Sequence, residues 1–195
     1  MKKSNVILFL FISFAIYFPC SLNAQVPEKS TGKEAKIKWY SFEEAYKLNK
    51  KKPKKMIVDV YTEWCGWCKK MDAETFTDPA IVKYMSAHFY CVKFDAERKD
   101  TIVLDGVKFI NPNPSGRRST HQLANELLHN SMSYPSYVFL DKKGKFIITI
   151  PGYHKAKEFE AILSFFGEDA YLNSKPEDFQ RNFDEYLSKF QGEVK

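Results

Sequence analysis

The amino-acid sequence predicts an α/β domain with a mixed central sheet. Three observations support this prediction. Segments with the apolar, β-branched pattern of buried strands alternate with amphipathic helical segments along most of the chain. A helical segment lies between the first two predicted strands, which makes these strands parallel. The last two predicted strands are separated only by the tight turn "DKKG", so the sheet also has an antiparallel pair.

The composition indicates one globular domain. The chain has 195 residues, 44% of them hydrophobic and 28% charged, which is enough for a single hydrophobic core. Its formal charge of +6 is mildly basic. The densest basic run, "KKKPKK", lacks interleaved aromatic residues and is predicted to be a solvated turn. We therefore expect no nucleic-acid partner.

The first 24 residues have the layout of a secretory signal peptide. Lys2 and Lys3 precede the apolar run "VILFLFISFAIYF", and Ala24 is the small residue before a cleavage site. The run is short for a membrane span, and an uncleaved N-terminal anchor is the alternative. Residues 25–37 are predicted to be a flexible leader. We expect the protein to be exported to the periplasm or another extracytoplasmic compartment.

Helix and strand signals follow in order. "SFEEAYKLNKKK" predicts a helix capped by Ser41, and "KMIVDVYTE" predicts a buried strand at about 56–62. A helix is then expected to begin at or near Cys65. "TDPAIVKYMSAHF" predicts another helix, capped by Asp78 or Thr77, and "FYCVKFDAE" predicts a second strand. The unit is therefore βαβ, with the motif CxxC where the first strand meets its helix.

The second half of the chain departs from simple alternation. Residues 97–120 are predicted to be an insertion, with a β-hairpin turn at Asp105-Gly106 and the loop "NPNPSGRRS". A short helix, two strands and a helix ending at Gly167 follow. Residues 168–195 are predicted to be a helical extension whose apolar stripe packs on the domain.

Cleavage of the signal peptide would leave three cysteines, Cys65, Cys68 and Cys91, in an oxidising compartment. Structural zinc needs four ligands, usually from two separated pairs, so we expect no metal. A static disulfide between Cys65 and Cys68 would close a very small loop and add little stability. The spacing favours thiol–disulfide exchange, which needs no organic cofactor. Cys91, within a predicted strand, is expected to be a buried, inert thiol.

The position of the pair suggests different roles for its two members. Free N–H groups at a helix start favour a thiolate, which indicates Cys65 as the nucleophile. Cys68 lies three residues later on the same helix face and is close enough to resolve a mixed disulfide. We expect Cys68 to be the more buried of the two. Gly66 would let a substrate chain approach closely.

Three segments resemble thioredoxins. "VDVYTEWCGWCKKM" is similar to their active-site segment, "MSYPSYVFLD" to the strand that opens with a cis-proline, and "PGYHKAKEFEAIL" to the last strand and helix. The resemblance covers about 38–166. It implies a thioredoxin fold over 38–195, with a central mixed sheet flanked by helices, an insertion before the cis-proline strand and an extra C-terminal helix. It also implies an exported thiol–disulfide oxidoreductase that acts on protein substrates.

The resemblance implies the role of a proton carrier for Asp59. This carboxylate lies six residues before Cys65 and would exchange a proton with Cys68. Burial among apolar neighbours would raise its pKa. Pro135 would pack against the CxxC loop, and its cis bond would expose the backbone of Tyr134 to a substrate strand.

Two tryptophans flank the cysteines. The resemblance implies that Trp64 and Trp67 contact substrates; packing in the core is the alternative for Trp64, and Trp67 is expected to be exposed. Trp67 stands where thioredoxins usually have proline, at a position that helps to set the reduction potential. The direction of transfer therefore stays open.

Similarity to thioredoxins favours a reductase that is reset by a redox partner, for which a membrane electron donor is one possibility. The alternatives are a disulfide oxidase or isomerase, or a binding or chaperone module with little redox activity.

Overall fold

A computed structural model describes residues 35–192. The predicted signal peptide (1–24) and most of the predicted leader lie outside these residues. Ile37, placed at the end of the predicted leader, is buried in the core, so the packed domain begins at or before this residue. The helices and strands are β1 (Trp39–Tyr40), α1 (Phe42–Lys51), β2 (Lys55–Tyr61), α2 (Gly66–Glu74), α3 (Pro79–His88), β3 (Phe89–Asp95), β4 (Ile102–Leu104), β5 (Val107–Phe109), α4 (Gln122–Leu127), β6 (Ser136–Leu140), β7 (Phe146–Pro151), α5 (Ala156–Gly167) and α6 (Phe179–Lys189).

The central sheet has five strands in the order β1-β3-β2-β6-β7. Strands β1, β3 and β2 are parallel, whereas β6 and β7 run antiparallel to their neighbours. The mixed sheet predicted from the sequence is therefore confirmed. The two-residue strand β1 was not predicted, because a strand this short carries no periodic pattern.

Helices cover both faces of the sheet. Ile57 and Asp59 point to the face on which α2, α3, α5 and α6 pack, because side chains alternate along a strand. Val58 and Val60 point to the other face, where α1, α4 and the β4–β5 hairpin pack. The central strand β2 thus carries a carboxylate into the face that lies under α2, the helix that follows the cysteine motif.

The segment 97–120 begins and ends at nearly the same point of the domain. The N–H of His121 donates to the carbonyl of Ala96 at 2.8 Å, which joins the two ends of the segment. The predicted β4–β5 hairpin is present, with Asp105 and Gly106 in its turn. Asp105 Oδ2 accepts hydrogen bonds from Tyr46 Oη at 2.5 Å and Lys50 Nζ at 2.6 Å, so the hairpin is attached to α1.

The C-terminal extension packs on the domain through the predicted apolar stripe. Phe183 is buried, and four partly buried neighbours contact the same core, namely Phe179, Tyr186, Leu187 and Phe190. Two short 3₁₀ turns connect α5 to α6. Across residues 35–192, no helix is long and apolar enough to cross a membrane.

Candidate active site

The cysteine motif forms the turn between β2 and α2. Cys65 is the N-cap of α2, as predicted, and its Sγ accepts a hydrogen bond from the N–H of Cys68 at 3.0 Å. The N–H of Cys65 donates to the carbonyl of Thr62, which closes the turn after β2. An N-cap acceptor satisfies one of the free N–H groups of a helix start, and the helix dipole favours negative charge there. This environment stabilises a thiolate at Cys65.

Cys65 and Cys68 form a disulfide with an S–S distance of 2.07 Å. The expected difference in burial is only one percentage point in this oxidised form: Cys65 is 4% exposed and Cys68 is 3% exposed. The disulfide brings both sulfur atoms to one place, so neither side chain can be much more accessible than the other. A Cβ added at the exposed Gly66 would meet no atom within 4 Å, so the surface beside the disulfide is open.

Asp59 lies in the middle of β2 and is buried, as expected from its apolar neighbours. Burial raises its pKa to about 6, despite the opposing effect of Lys93. Asp59 Oδ2 accepts a hydrogen bond from Lys93 Nζ at 2.5 Å. Asp59 Oδ1 is buried and has no hydrogen-bond partner within residues 35–192. The carboxylate therefore has one paired oxygen and one that is available for a proton.

Lys93 joins this carboxylate to α2. Its Nζ also contacts Asp72, which lies one helical turn after Cys68. Burial by itself lowers the pKa of Lys93. The carboxylates of Asp59 and Asp72 have the larger combined effect, so the pKa of Lys93 is raised. Lys93 was not predicted as a site residue, although a lysine in a predicted buried strand was an available signal. The strand register that pairs Asp59 with Lys93 was not predicted either.

The Tyr134–Pro135 peptide bond is cis, and Pro135 is buried. Within residues 35–192, the backbone N–H and carbonyl of Tyr134 form no hydrogen bond with other main-chain groups. Beside them is a cleft of about 330 Å³, lined by Trp67, Tyr134, Pro135, Gly152 and Tyr153. The cis-proline thus lies in a mostly aromatic cleft that includes the residue between the two cysteines.

Both tryptophans of the motif are exposed. Trp67 is 57% exposed, as expected, and its ring lies 5.5 Å from the ring of Tyr153. Trp64 is 50% exposed, so the alternative of core packing is wrong. Its indole N–H donates to Glu97 Oε1 at 2.9 Å, and its ring lies 5.9 Å from that of Tyr134. Trp64 remains at the surface because its polar edge is bound by a carboxylate of the segment 97–120.

The third cysteine lies in β3, away from the motif in sequence. Cys91 is buried and reduced, and burial raises the pKa of its thiol to about 12. These properties agree with an inert thiol. Among the described residues, no group of three or more His, Cys, Asp or Glu side chains is placed to hold a metal ion.

Residues 42–167 match the family described as thioredoxin-like domain. The chain belongs to this family. Among curated relatives, it is 27% identical over 118 residues to the thiol:disulfide interchange protein DsbD of Pectobacterium atrosepticum, across 60% of this chain and 17% of DsbD. It is 24% identical over 112 residues to the disulfide bond reductase DsbH of Chlamydia pneumoniae, across 57% of this chain and 60% of DsbH.

Solved structures show the same fold. A thioredoxin-fold protein from Helicobacter pylori superposes with a TM-score of 0.55 at 20% identity, covering 70% of this chain and 83% of that protein. The structure of a DsbH oxidoreductase superposes with a TM-score of 0.52 at 18% identity, covering 73% of this chain and 92% of that protein. The chain spans 60% of the length of the curated DsbH and under a fifth of DsbD. The relatives DsbD and DsbH are described as a thiol:disulfide interchange protein and a disulfide bond reductase, and this chain has a cysteine pair in a CxxC motif.

Proposed function

We propose that this protein is an exported thiol–disulfide oxidoreductase that reduces disulfides in protein substrates. The observation that carries the proposal is the position of Cys65: it caps α2, accepts the N–H of Cys68 and lies beside the open surface at Gly66. The helix start stabilises the thiolate that exchange requires. Cys68 is already bonded to Cys65, so the pair has the geometry of the oxidised state of such a cycle.

In the reducing direction, the Cys65 thiolate attacks one sulfur of a substrate disulfide. A disulfide between Cys65 and the substrate forms, and the other substrate sulfur leaves as a thiolate that takes a proton from solvent. Cys68 then loses its proton and attacks Cys65 Sγ, which closes the Cys65–Cys68 disulfide and releases the second substrate thiolate. Two electrons pass to the substrate, so an external dithiol must reduce the pair again.

Asp59 is the proposed acceptor of the Cys68 proton. A thiol with its ordinary pKa of about 8.5 is mostly protonated at neutral pH, so its attack needs a base. A buried carboxylate with a pKa of about 6 is ionised at pH 7 and binds a proton more readily than an exposed one does. The Lys93–Asp72 contact joins this carboxylate to the helix that carries Cys68. The proton can return through the unpaired Asp59 Oδ1 when the pair is reduced.

Substrate binding is assigned to the exposed surface around the pair. The free backbone groups of Tyr134, beside the cis-proline Pro135, offer main-chain hydrogen bonds to an extended substrate segment. Trp64 and Trp67 provide apolar contacts on either side, and the absence of a side chain at Gly66 leaves room for the substrate backbone. Extended backbone recognition tolerates many sequences, which suits an enzyme that acts on different proteins.

The reducing direction and the export are supported by sequence features. Overall similarity to thioredoxins favours reduction, as does the similarity to DsbH, which is described as a disulfide bond reductase. The N-terminal layout favours export, so the electrons would come from an extracytoplasmic redox partner, such as a membrane electron donor. Cell fractionation tests the export: a mature form that remains in the cytoplasm contradicts it.

The decisive experiment is a disulfide-reduction assay with insulin and dithiothreitol. We expect the wild type to accelerate reduction and Cys65→Ser to lose at least about a thousandfold in rate, because removing a nucleophile that acts with a partner removes most of the catalysis. Cys91→Ala is the matched control: it removes the buried thiol and keeps the activity. Equal inactivity of wild type and Cys65→Ser toward several disulfide substrates contradicts the enzyme and favours a binding or chaperone module.

The direction is measured separately, by equilibration of the pair with reduced and oxidised glutathione. A reductase is expected to have a reduction potential below that of the glutathione pool, near about −270 mV as in thioredoxin. A value near about −120 mV, as in strong oxidants, contradicts the reductase and favours an oxidase.

A further inference from the structure

The guanidinium of Arg118 lies over the ring of Trp64, the residue directly before the nucleophile. Arg118 Cζ is 4.7 Å from the ring centroid, within the range of a cation–π contact. Arg118 is exposed, and its guanidinium has no carboxylate within 4.0 Å among residues 35–192. A positive charge is therefore held beside the reactive cysteine pair without a counter-charge in contact.

The loop that carries Arg118 is braced from within the segment 97–120. The buried side chain of Asn111 donates to the carbonyl of Ser119 at 2.7 Å and to the carbonyl of Arg98 at 3.1 Å. Arg118 itself has a φ of 58°, a conformation uncommon for a residue with a side chain. These two hydrogen bonds hold the backbone at Arg98 and at Ser119, next to Arg118. They thereby place the Arg118 guanidinium at the active-site surface.

Trp64 is held from two other directions. Glu97, at the start of the same segment, accepts the indole N–H at 2.9 Å, and the ring of Tyr134 packs edge-on at 5.9 Å. The indole therefore has three contacts: Glu97 on its N–H, the ring of Tyr134, and the guanidinium of Arg118 over its own ring. Stability alone explains little of this arrangement, because an exposed cation–π contact contributes only about 0.5–1 kcal/mol.

The geometry points to Arg118 as a specificity-determining residue that selects disulfide substrates with Asp or Glu beside the reactive cysteine. This inference rests on the proposed function and adds the substrate class. The guanidinium keeps its N–H donors for a carboxylate, which it binds with two parallel hydrogen bonds. Cleavage of the predicted signal peptide removes Lys2 and Lys3 and lowers the formal net charge from +6 to +4, which still attracts acidic substrates over a longer distance. Trp64 directly precedes Cys65 in the chain, so Arg118 lies over a residue adjacent to the nucleophile.

The test uses short peptides joined as symmetrical disulfides, with Glu, Gln or Lys beside the cysteine. The second-order rate constant of the reduced protein with each peptide is measured by quenched flow at low salt. Each value is divided by the rate constant of dithiothreitol with the same peptide, which removes the effect of neighbouring charge on the disulfide itself. We expect a Glu-to-Lys ratio of about tenfold, because the comparison replaces attraction by repulsion and each exposed contact contributes up to about fivefold.

Variants separate Arg118 from the general charge of the protein. We expect Arg118→Ala to lower the ratio to about twofold, Arg118→Glu to invert it, and Arg118→Lys to keep part of it. Arg117→Ala is the matched control, because Arg117 is exposed in the same loop and makes no cation–π contact within residues 35–192. Glu97→Gln keeps an acceptor for the indole N–H and removes a negative charge, so the ratio is expected to rise.

Two outcomes distinguish failure of the inference from failure of the proposed function. Equal ratios in wild type, Arg118→Ala and Arg118→Glu, with normal reaction rates, overturn the inference alone. Absence of reaction with every peptide overturns the proposed function. In that case the acidic preference is tested by binding alone. Peptides with Ser in place of Cys are added, and the NMR resonance of the Trp64 indole N–H is followed. A salt-sensitive shift with the Glu peptide that is lost in Arg118→Ala supports the acidic preference, and no shift contradicts it.

Discussion

The interior and the exterior of the site are built differently. The site floor consists of Asp59, Lys93 and Asp72, which come from neighbouring parallel strands and α2. The site rim consists of Trp64, Trp67 and Arg118, all exposed. The floor belongs to the βαβ unit that carries the cysteines. One side of the rim depends on the segment 97–120, whose two ends are joined by the hydrogen bond between His121 and Ala96.

This difference separates chemistry from selection. A change in the floor alters the charge and the proton affinity beside the cysteines, so it should act equally on every substrate. A change in the rim alters contacts that only some substrates make. The segment 97–120 can therefore vary in sequence without disturbing the floor, which has its own hydrogen bonds and ion pairs.

The largest expected effect is on stability, through Asp59. The pKa of Asp59 is raised from 3.8 to about 6 in the folded protein, so the folded state binds this proton more tightly than the unfolded chain does. The stability that this proton contributes is fully present below pH 3.8 and is lost as the pH rises through 6. Relative to the wild type, Asp59→Asn should gain about 3 kcal/mol in free energy of unfolding between pH 3.5 and pH 7.5.

Urea unfolding of the oxidised proteins at both pH values measures this gain. Asp100→Asn is the control of opposite sign, because a hydrogen bond from Arg98 lowers the pKa of Asp100 to about 2. Asp100 contributes stability above pH 3.8 that is lost as the pH falls through 2, so its removal should cost more at neutral pH. An equal effect of Asp59→Asn at both pH values contradicts the buried, proton-binding carboxylate.

The fold and the reactive centre were predictable from local patterns. The position of Cys65 as N-cap of α2 follows from a strand signal that ends just before CxxC. The burial of Asp59 follows from its apolar neighbours Ile57, Val58 and Val60. Both features depend on residues close together in the sequence. Such patterns determine where a helix begins and which strand is buried.

The contacts that complete the site come from distant residues. Lys93 reaches Asp59 through strand register, and Arg118 reaches Trp64 through a loop of irregular backbone. No periodic pattern encodes either contact, because register depends on the whole sheet and a loop path depends on the hydrogen bonds that brace it. Neither Lys93 of the site floor nor Arg118 of the site rim was therefore predicted from the sequence.

The second prediction concerns the proton affinity of Asp59 in the site floor, which is expected to change by about tenfold, or one pKa unit. Lys93 lowers the pKa of Asp59, so Lys93→Met should raise it by about one unit. Asp72 raises the same pKa, so Asp72→Asn should lower it. The pH dependence of the resolving step, followed in single-turnover reactions, should move in opposite directions in the two variants for every substrate. Lys70→Met, at an exposed lysine of α2, is the control, and shifts of equal sign contradict the electrostatic link.

The smallest expected effect distinguishes the two sides of the rim. Trp67 contacts Tyr153 and Lys70, whereas Trp64 contacts Glu97 and Arg118 of the segment 97–120. Replacing either tryptophan by alanine should lower the rate constant with peptide disulfides by about fivefold, since an aromatic contact contributes about 0.5–1.5 kcal/mol.

Only Trp64→Ala should also reduce the preference for acidic peptides, because Arg118 loses the ring over which it is held. Trp67→Ala should leave the Glu-to-Lys ratio as in the wild type. The same quenched-flow measurements with Glu and Lys peptides give both quantities. If the two variants change the ratio equally, the rim acts as one apolar surface, and selection by charge does not belong to the side formed with the segment 97–120.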